Sequence, residues 1–243
     1  MRSFFLMLAF FTRLPVPRIL YSEERYIRGI PLLPLVGAVT GAILYGASFA
    51  RPYLSGPLFG VLLFLWYLLI TGGLHMDGLA DSCDALFSGR DRETMLEIMK
   101  DSRSGTFGVL GLIAAAAFYL VLLPEASPAA LFFFPVIGKC TPSIAVSLSP
   151  YIRPEGMARL FAAHCSRSCA VLGAGLVLIA VGLTDRTLLL PAIFSLIFAA
   201  MLTKKVQRAL GGITGDILGL LCEASQISFL VFIPVFETIS KII

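Results

Sequence analysis

The sequence predicts an all-α polytopic membrane protein, a bundle of about seven transmembrane helices plus an N-terminal interfacial or re-entrant helix. Three observations predict it. First, 58% of the 243 residues are hydrophobic and only 14% are charged, where soluble domains carry about 25% charged residues; the mean hydropathy is +0.90. Second, seven apolar runs are long enough, or nearly so, to cross a hydrocarbon layer of about 30 Å. Third, Lys and Arg gather in alternate connectors. Residues 1–30, 75–106, 151–168 and 203–216 hold five, four, three and three of the 19, whereas the opposite connectors hold only Arg51, Arg186 and Lys241. The positive-inside rule places the basic connectors in the cytoplasm. The net charge of +4 therefore reports topology and not nucleic-acid binding. No long polar linker offers a boundary, so residues 1–243 form a single membrane-embedded domain.

The chain opens on SFFLMLAFFTRLPVP. This run is short for a span, is interrupted by Arg13 and lacks a small-residue cleavage site, so it is expected to lie at the interface or to re-enter, ended by Pro15 and Pro17. Residues 21–28 are a polar, basic connector. Spans are expected at 31–50, 57–74, 107–123, 129–150, 169–183, 187–202 and 217–236. The runs 169–183 and 187–202 are short and joined by a tight Thr184-Asp185-Arg186 turn; as a helical hairpin they cross fully only by recruiting flanking residues. Small residues inside the spans, Gly37-x₃-Gly41 for example, permit close helix packing. Five cysteines offer no second zinc-like pair beside Cys165-x₃-Cys169 and read as reduced packing residues. Lys139 and Glu223 lie inside spans, where charge is costly. Either they pair with each other or Glu223 faces the active site, and the sequence leaves both open.

Chemistry is concentrated in residues 72–108, GGLHMDGLADSCDALFSGRDRETMLEIMKDSRSGTFG, which hold seven of the 15 carboxylates. Asp77, Asp81 and Asp84 fall at i, i+4 and i+7, within roughly 60° on a helix. Glu93, Glu97 and Asp101 follow at i, i+4 and i+8, and a turn at Ser88-Gly89-Arg90 lets two acidic helix faces close on each other. Facing carboxylates repel, so such a cluster calls for cations, and oxygen-only donors favour Mg²⁺. At the cytoplasmic ends of spans these acids suit a metal bridging a pyrophosphate, with a spare carboxylate to take a proton from an attacking hydroxyl. The alternative is a solvated charged hairpin between spans. Gly78 leaves room for a ligand or a second helix to approach the backbone, and His75 is either a phosphate partner or an interfacial residue. A second cluster runs from Lys204 to Asp216. Its cations Lys204, Lys205 and Arg208, and the backbone exposed at Gly211, Gly212 and Gly215, suit phosphate oxygens.

The 72–108 stretch resembles the signature of the adenosylcobinamide-GDP ribazoletransferase family, the cobalamin (5′-phosphate) synthases. FFTRLPVP, RGIPLLPLVGAVTG, YIRPEGM and RALGGITGDILG resemble the same family in the same order, so the resemblance covers essentially the whole chain. Lys139 departs from it, standing where the family more usually has arginine. The resemblance implies a polytopic enzyme of the cell inner membrane with its active site facing the cytoplasm. It would join α-ribazole, or its 5′-phosphate, to adenosylcobinamide-GDP and release GMP with Mg²⁺ as cofactor, in the last step of cobalamin assembly. The implied partners are those two substrates and membrane lipid, with no nucleic acid; a homodimer is admitted. DGLAD and Glu97-x₃-Asp101 are also similar to parts of the CDP-alcohol phosphotransferase signature, although Asp81 replaces its arginine and its glycine has no counterpart.

On residues and resemblance together, Asp77, Asp81, Asp84, Glu97 and Asp101 are the expected metal ligands. Asp101, Asp81 and His75 are the expected catalytic groups, with Asp101 the preferred general base by analogy with the last aspartate of the CDP-alcohol signature. Arg13, Lys100, Arg103, Lys204, Lys205, Arg208, Gly211, Gly212, Gly215 and Asp216 are the phosphate-side candidates. A CDP-alcohol phospholipid synthase and a transporter are the rival readings. The transporter is disfavoured because the acids gather at one membrane face and not at the midplane.

Overall fold

The computed structural model describes residues 1–242, and the fold is built of helices. Helix α1 (Arg2–Phe11) ends at Thr12, before the prolines, with the Thr12 hydroxyl donating to the Leu8 carbonyl at 2.7 Å. It packs on α2 (Glu23–Gly29) and α3 (Leu33–Ala47) through Met7, which is wholly buried. A 3-10 turn joins α2 to α3, so helical chain runs from Glu23 to Tyr53. There follow α4 (Gly56–Thr71), α5 (Leu74–Leu86), α6 (Arg92–Ile98), α7 (Thr106–Leu122), α8 (Pro128–Leu148), α9 (Met157–His164), α10 (Arg167–Thr184), α11 (Leu189–Leu210) and α12 (Gly215–Ile242).

Every expected span is a helix. Among the described residues five are long and apolar enough to cross a membrane by themselves: Glu23–Tyr53, α8, α10, Arg186–Leu210 and α12. The other two, α4 and α7, have 16 and 17 residues. The short hairpin gains its length as expected, α10 starting at Arg167 and α11 running on to Leu210. Its turn is held by Asp185, which accepts the Thr187 backbone N–H at 2.9 Å.

Helices α8 and α12 form the interior. The 128–148 helix is the most buried of the candidate spans, and α3 lies flat along it because Gly37 and Gly41 put bare backbone against Pro135 and Phe132. The small residues in α3 thus do what small residues do in membrane bundles, letting backbones approach.

Two local departures from the sequence reading shape the site. Helix α4 ends at Gly72-Gly73, both left-handed (φ 64° and 69°), and α5 leaves at 94° to it. Only glycine takes two such conformations in a row cheaply. The second acidic helix is shorter than the i, i+4, i+8 spacing implied. It begins as expected with Asp91 accepting the Thr94 N–H at 3.0 Å, but stops at Ile98. Asp101 therefore lies beyond the helix, where its side chain accepts the Arg103 backbone N–H at 3.0 Å and closes a turn of its own. Nor does α6 lay an acidic face on α5. Its buried side is Met95, with Met99 just beyond, packed among Leu210, Ile213 and Ile217, and Arg92 ties it to the Leu210 carbonyl at 2.7 Å.

Candidate active site

The site forms where α5 crosses the start of α12. Gly78 lies directly against the Asp216 backbone and Gly219 against the His75 carbonyl, so the two helices meet without intervening side chains. The space beside Asp77 is taken by a second helix. This contact brings Asp77 and Asp81 of α5 to the first turn of α12, where Asp216 is half-buried. Asp81 lies in the field of Asp77, Asp216 and Asp84, countered by Arg153.

Arg153 did not stand out in the sequence beyond its place in YIRPEGM. It is paired with Asp216 at 2.7 Å and also donates to the Met99 carbonyl at 3.3 Å, joining α12 to the end of α6. Its Nε is buried without a hydrogen-bond partner among the described residues. The loop carrying it is fixed by two backbone bonds, Ile152 N–H to the Ile213 carbonyl (3.0 Å) and Ile213 N–H to the Pro150 carbonyl (2.9 Å). The glycine turn is therefore folded onto this loop. Gly211 caps α11 with φ 78°, Gly212 packs on Pro150, and Gly215 opens α12.

The other expected site residues divide clearly. Asp84 is buried and accepts the backbone N–H groups of Gly105 (2.6 Å) and Gly108 (2.8 Å), so it caps the start of α7. Glu97 and Lys100 are exposed on and just after α6. Asp101 and Arg103 form an exposed ion pair at 2.7 Å, whose hydrogen bonds hold the Asp101 carboxyl low, at about 2. They line a separate shallow hollow with Arg90. Lys204 donates to the Leu148 carbonyl and to Gln207 Oε1, capping α8, while Lys205 and Arg208 are exposed. Arg13 is exposed with its side chain over Gly72, and its N–H donates to the Ile70 carbonyl at 2.7 Å. Asp77, Asp81 and Asp216 thus come together at the α5–α12 crossing, and Glu97 and Asp101 do not join them.

His75 is buried at the start of α5, stacked on Phe11 with rings 5.9 Å apart and 14° from parallel. Lys139 donates to it, with Nζ 3.1 Å from Nδ1 and 3.3 Å from Nε2, and also lies 5.2 Å from the Phe11 ring centre. Glu223 accepts instead from Tyr67 and Tyr119, at 2.6 Å each. The two intramembrane charges therefore do not pair directly. Neither tyrosine carries a sequence signal, since the contacts span 156 and 104 residues.

Beside the crossing is a cavity of about 210 Å³. His75, Asp77 and Asp216 form one side, and Phe10, Phe11, Tyr26 and Phe161 give it aromatic walls drawn from α1, α2 and α9. A larger hollow of about 780 Å³ between α7 and α12, walled by residues such as Phe118 and Val235, is lined by no charged group.

Among the described residues no group of three or more His, Cys, Asp or Glu side chains is placed to hold a metal ion. Mg²⁺ rarely uses such a cage; it is commonly held by one or two carboxylates together with substrate phosphates and water. The hard oxygen donors Asp77 and Asp81, one helical turn apart, fit that mode.

A helix bundle that gathers carboxylates, an arginine and a cavity at one end of its apolar helices defines a class: a polytopic membrane protein with an acidic pocket at the ends of its spans. The chain belongs to the cobalamin-5-phosphate synthase family, whose family model matches residues 3–234. It is 39% identical to the adenosylcobinamide-GDP ribazoletransferase of Alkaliphilus oremlandii, covering 95% of this chain and 96% of that protein. The proteins of the same name from Clostridium acetobutylicum and Escherichia coli K12 are 35% and 36% identical, covering 94% of this chain and 94% and 98% of theirs. No solved structure matches it.

Proposed function

We propose that this protein is the membrane enzyme that joins ribazole, or its phosphate, to adenosylcobinamide-GDP and releases GMP. The observation that carries the assignment is the family match over 3–234, with relatives named adenosylcobinamide-GDP ribazoletransferase aligned along nearly their whole length. A ribazole hydroxyl oxygen forms a bond to the phosphorus nearer the corrinoid, and the bond from that phosphorus to the oxygen of GMP breaks. The hydroxyl proton passes to a carboxylate. Asp216 is the acceptor in this reading, because it lines the same cavity as Asp77, whereas Asp101 is tied to Arg103 in another hollow. Arg153 holds Asp216 in place and its positive charge offsets the carboxylates gathered at the crossing. Asp77 and Asp81 would hold Mg²⁺, which when bound neutralises charge on the phosphates. Lys100, Lys205 and Arg208, exposed on the same end of the bundle, add positive charge for an anionic substrate.

Fifteen of the 19 Lys and Arg lie in connectors at the end that carries the site, which supports a cytoplasmic face for it and the cell inner membrane as its place. Helix α10 turns Val171, Leu172, Leu176 and Ile179 outward, toward lipid or, in a homodimer, toward a second copy. The test is turnover by the purified protein in liposomes with adenosylcobinamide-GDP, α-ribazole and Mg²⁺. GMP and a corrinoid product should appear together and vanish with chelator. Folded protein that forms neither contradicts the assignment; product that survives the chelator contradicts only the Mg²⁺ role.

A further inference from the structure

We propose that the 210 Å³ cavity between α1, α5, α9 and α12 is the subsite for the aromatic base of ribazole, and that the corrinoid half of the other substrate stays outside it. The inference rests on the proposed reaction and assigns its two substrates to different places. Size makes the first distinction. Cavities for drug-sized ligands measure about 300–1,000 Å³, so one of about 210 Å³ takes a bicyclic ring with part of a sugar and excludes a corrin macrocycle.

Lining makes the second. Phe10, Phe11, Tyr26 and Phe161 come from three separate helices, yet all reach this one cavity. Flat aromatic walls select a flat apolar ring by stacking and edge contacts. Phe11 already makes such a contact, with its face parallel to the His75 imidazole. The polar side completes the fit. Asp77 and Asp216 line the same cavity, so a ring seated among the aromatics places its attached ribose hydroxyls toward the two carboxylates that the transfer uses. Phe10 and Phe11 also give α1 a purpose, since the N-terminal helix supplies one wall of the acceptor site.

Calorimetric titration of α-ribazole into the protein in detergent, without the second substrate, tests this, alongside steady-state kinetics for both substrates. Two variants serve. Ala158→Phe enlarges a small residue on the cavity wall and should abolish α-ribazole binding. Phe10→Ala removes a half-exposed aromatic wall without opening the core and should raise the KM for α-ribazole about tenfold, the upper range of one aromatic contact. In Phe10→Ala the KM for adenosylcobinamide-GDP should stay within about twofold, and Ala158→Phe should still bind adenosylcobinamide-GDP with wild-type affinity by titration, since only the acceptor side of the site is altered. Free benzimidazole should compete with α-ribazole in the wild type. Wild-type turnover combined with unchanged α-ribazole affinity in both variants overturns the subsite and leaves the reaction standing. Absence of any wild-type turnover overturns the reaction itself.

Discussion

Glu223 is a carboxylate in a membrane helix, buried to 1% exposure, and two tyrosine hydroxyls at 2.6 Å make that tolerable. Gln226 extends the set by donating to the Tyr67 oxygen at 2.9 Å. None of these groups lines the 210 Å³ cavity, and their hydrogen bonds join α4, α7 and α12. Glu223→Gln keeps one carbonyl acceptor but turns an amide donor toward a hydroxyl that has been donating. It should lower thermal stability in detergent by about 1–3 kcal/mol while turnover of the folded fraction persists; turnover lost at unchanged stability would place Glu223 in the reaction. The aspartates separate differently. Asp216→Asn removes the proposed acceptor of the hydroxyl proton and should lower kcat by about 10²–10⁴, the usual contribution of a general base. Asp101→Asn loses an exposed pair with Arg103 and should change kcat by less than about tenfold. Reversed results in the same assay would return the base role to Asp101.

At the scale of elements, the α5–α12 crossing is the feature on which the site depends. A Cβ on Gly78 would come within 2.8 Å of the Asp216 carbonyl oxygen and 3.0 Å of its Cα, both backbone atoms that move only if α12 moves. Gly78→Ala should therefore cost about 1–3 kcal/mol of stability, as overpacking does, and lower kcat more than a comparable loss elsewhere, because Asp216 shifts away from Asp77. Equal kcat in folded Gly78→Ala protein would show that this close approach does not set the carboxylate geometry. The carboxylate spacing in α5 was legible because helical periodicity alone puts Asp77, Asp81 and Asp84 on one side. The division of labour among them was not. Asp84 becomes a cap for α7 only because Gly105 and Gly108 return to it from 21 and 24 residues away. The same limit hid Arg153, whose partner Asp216 lies on another helix, and the early end of α6, where an Asp101 turn replaced a further helical turn.

For the whole molecule, composition and apolar run length were enough to give the helical bundle, since a membrane leaves helices few alternatives. Each of the seven apolar runs is a helix; Gly37, Gly41 and Gly60 lie against the backbone of neighbouring helices, whereas Gly173 and Gly175 of α10 face open space. The 94° bend between α4 and α5 falls at Gly72-Gly73, inside the run 57–74 expected to be one span, and its angle depends on the helices that α5 then meets. The aromatic cavity left no motif because its walls come from α1, α2 and α9, each contributing one or two ordinary residues. Orientation follows from charge placement. A cysteine introduced at the exposed Arg90, in an otherwise cysteine-free variant that retains turnover, should be shielded from membrane-impermeant maleimide in intact cells and react in inside-out vesicles. Labelling in intact cells would place the site on the opposite face. The central proposal is that the carboxylates at the α5–α12 crossing, Asp77 and Asp81 together with Asp216, serve the transfer of ribazole. GMP release from adenosylcobinamide-GDP and α-ribazole, measured for wild type and Asp77→Asn protein in liposomes with helix content matched by circular dichroism, tests it most directly. Steady release by the wild type and a loss of about 10²-fold or more in the variant is the expected result; equal release by both would contradict it.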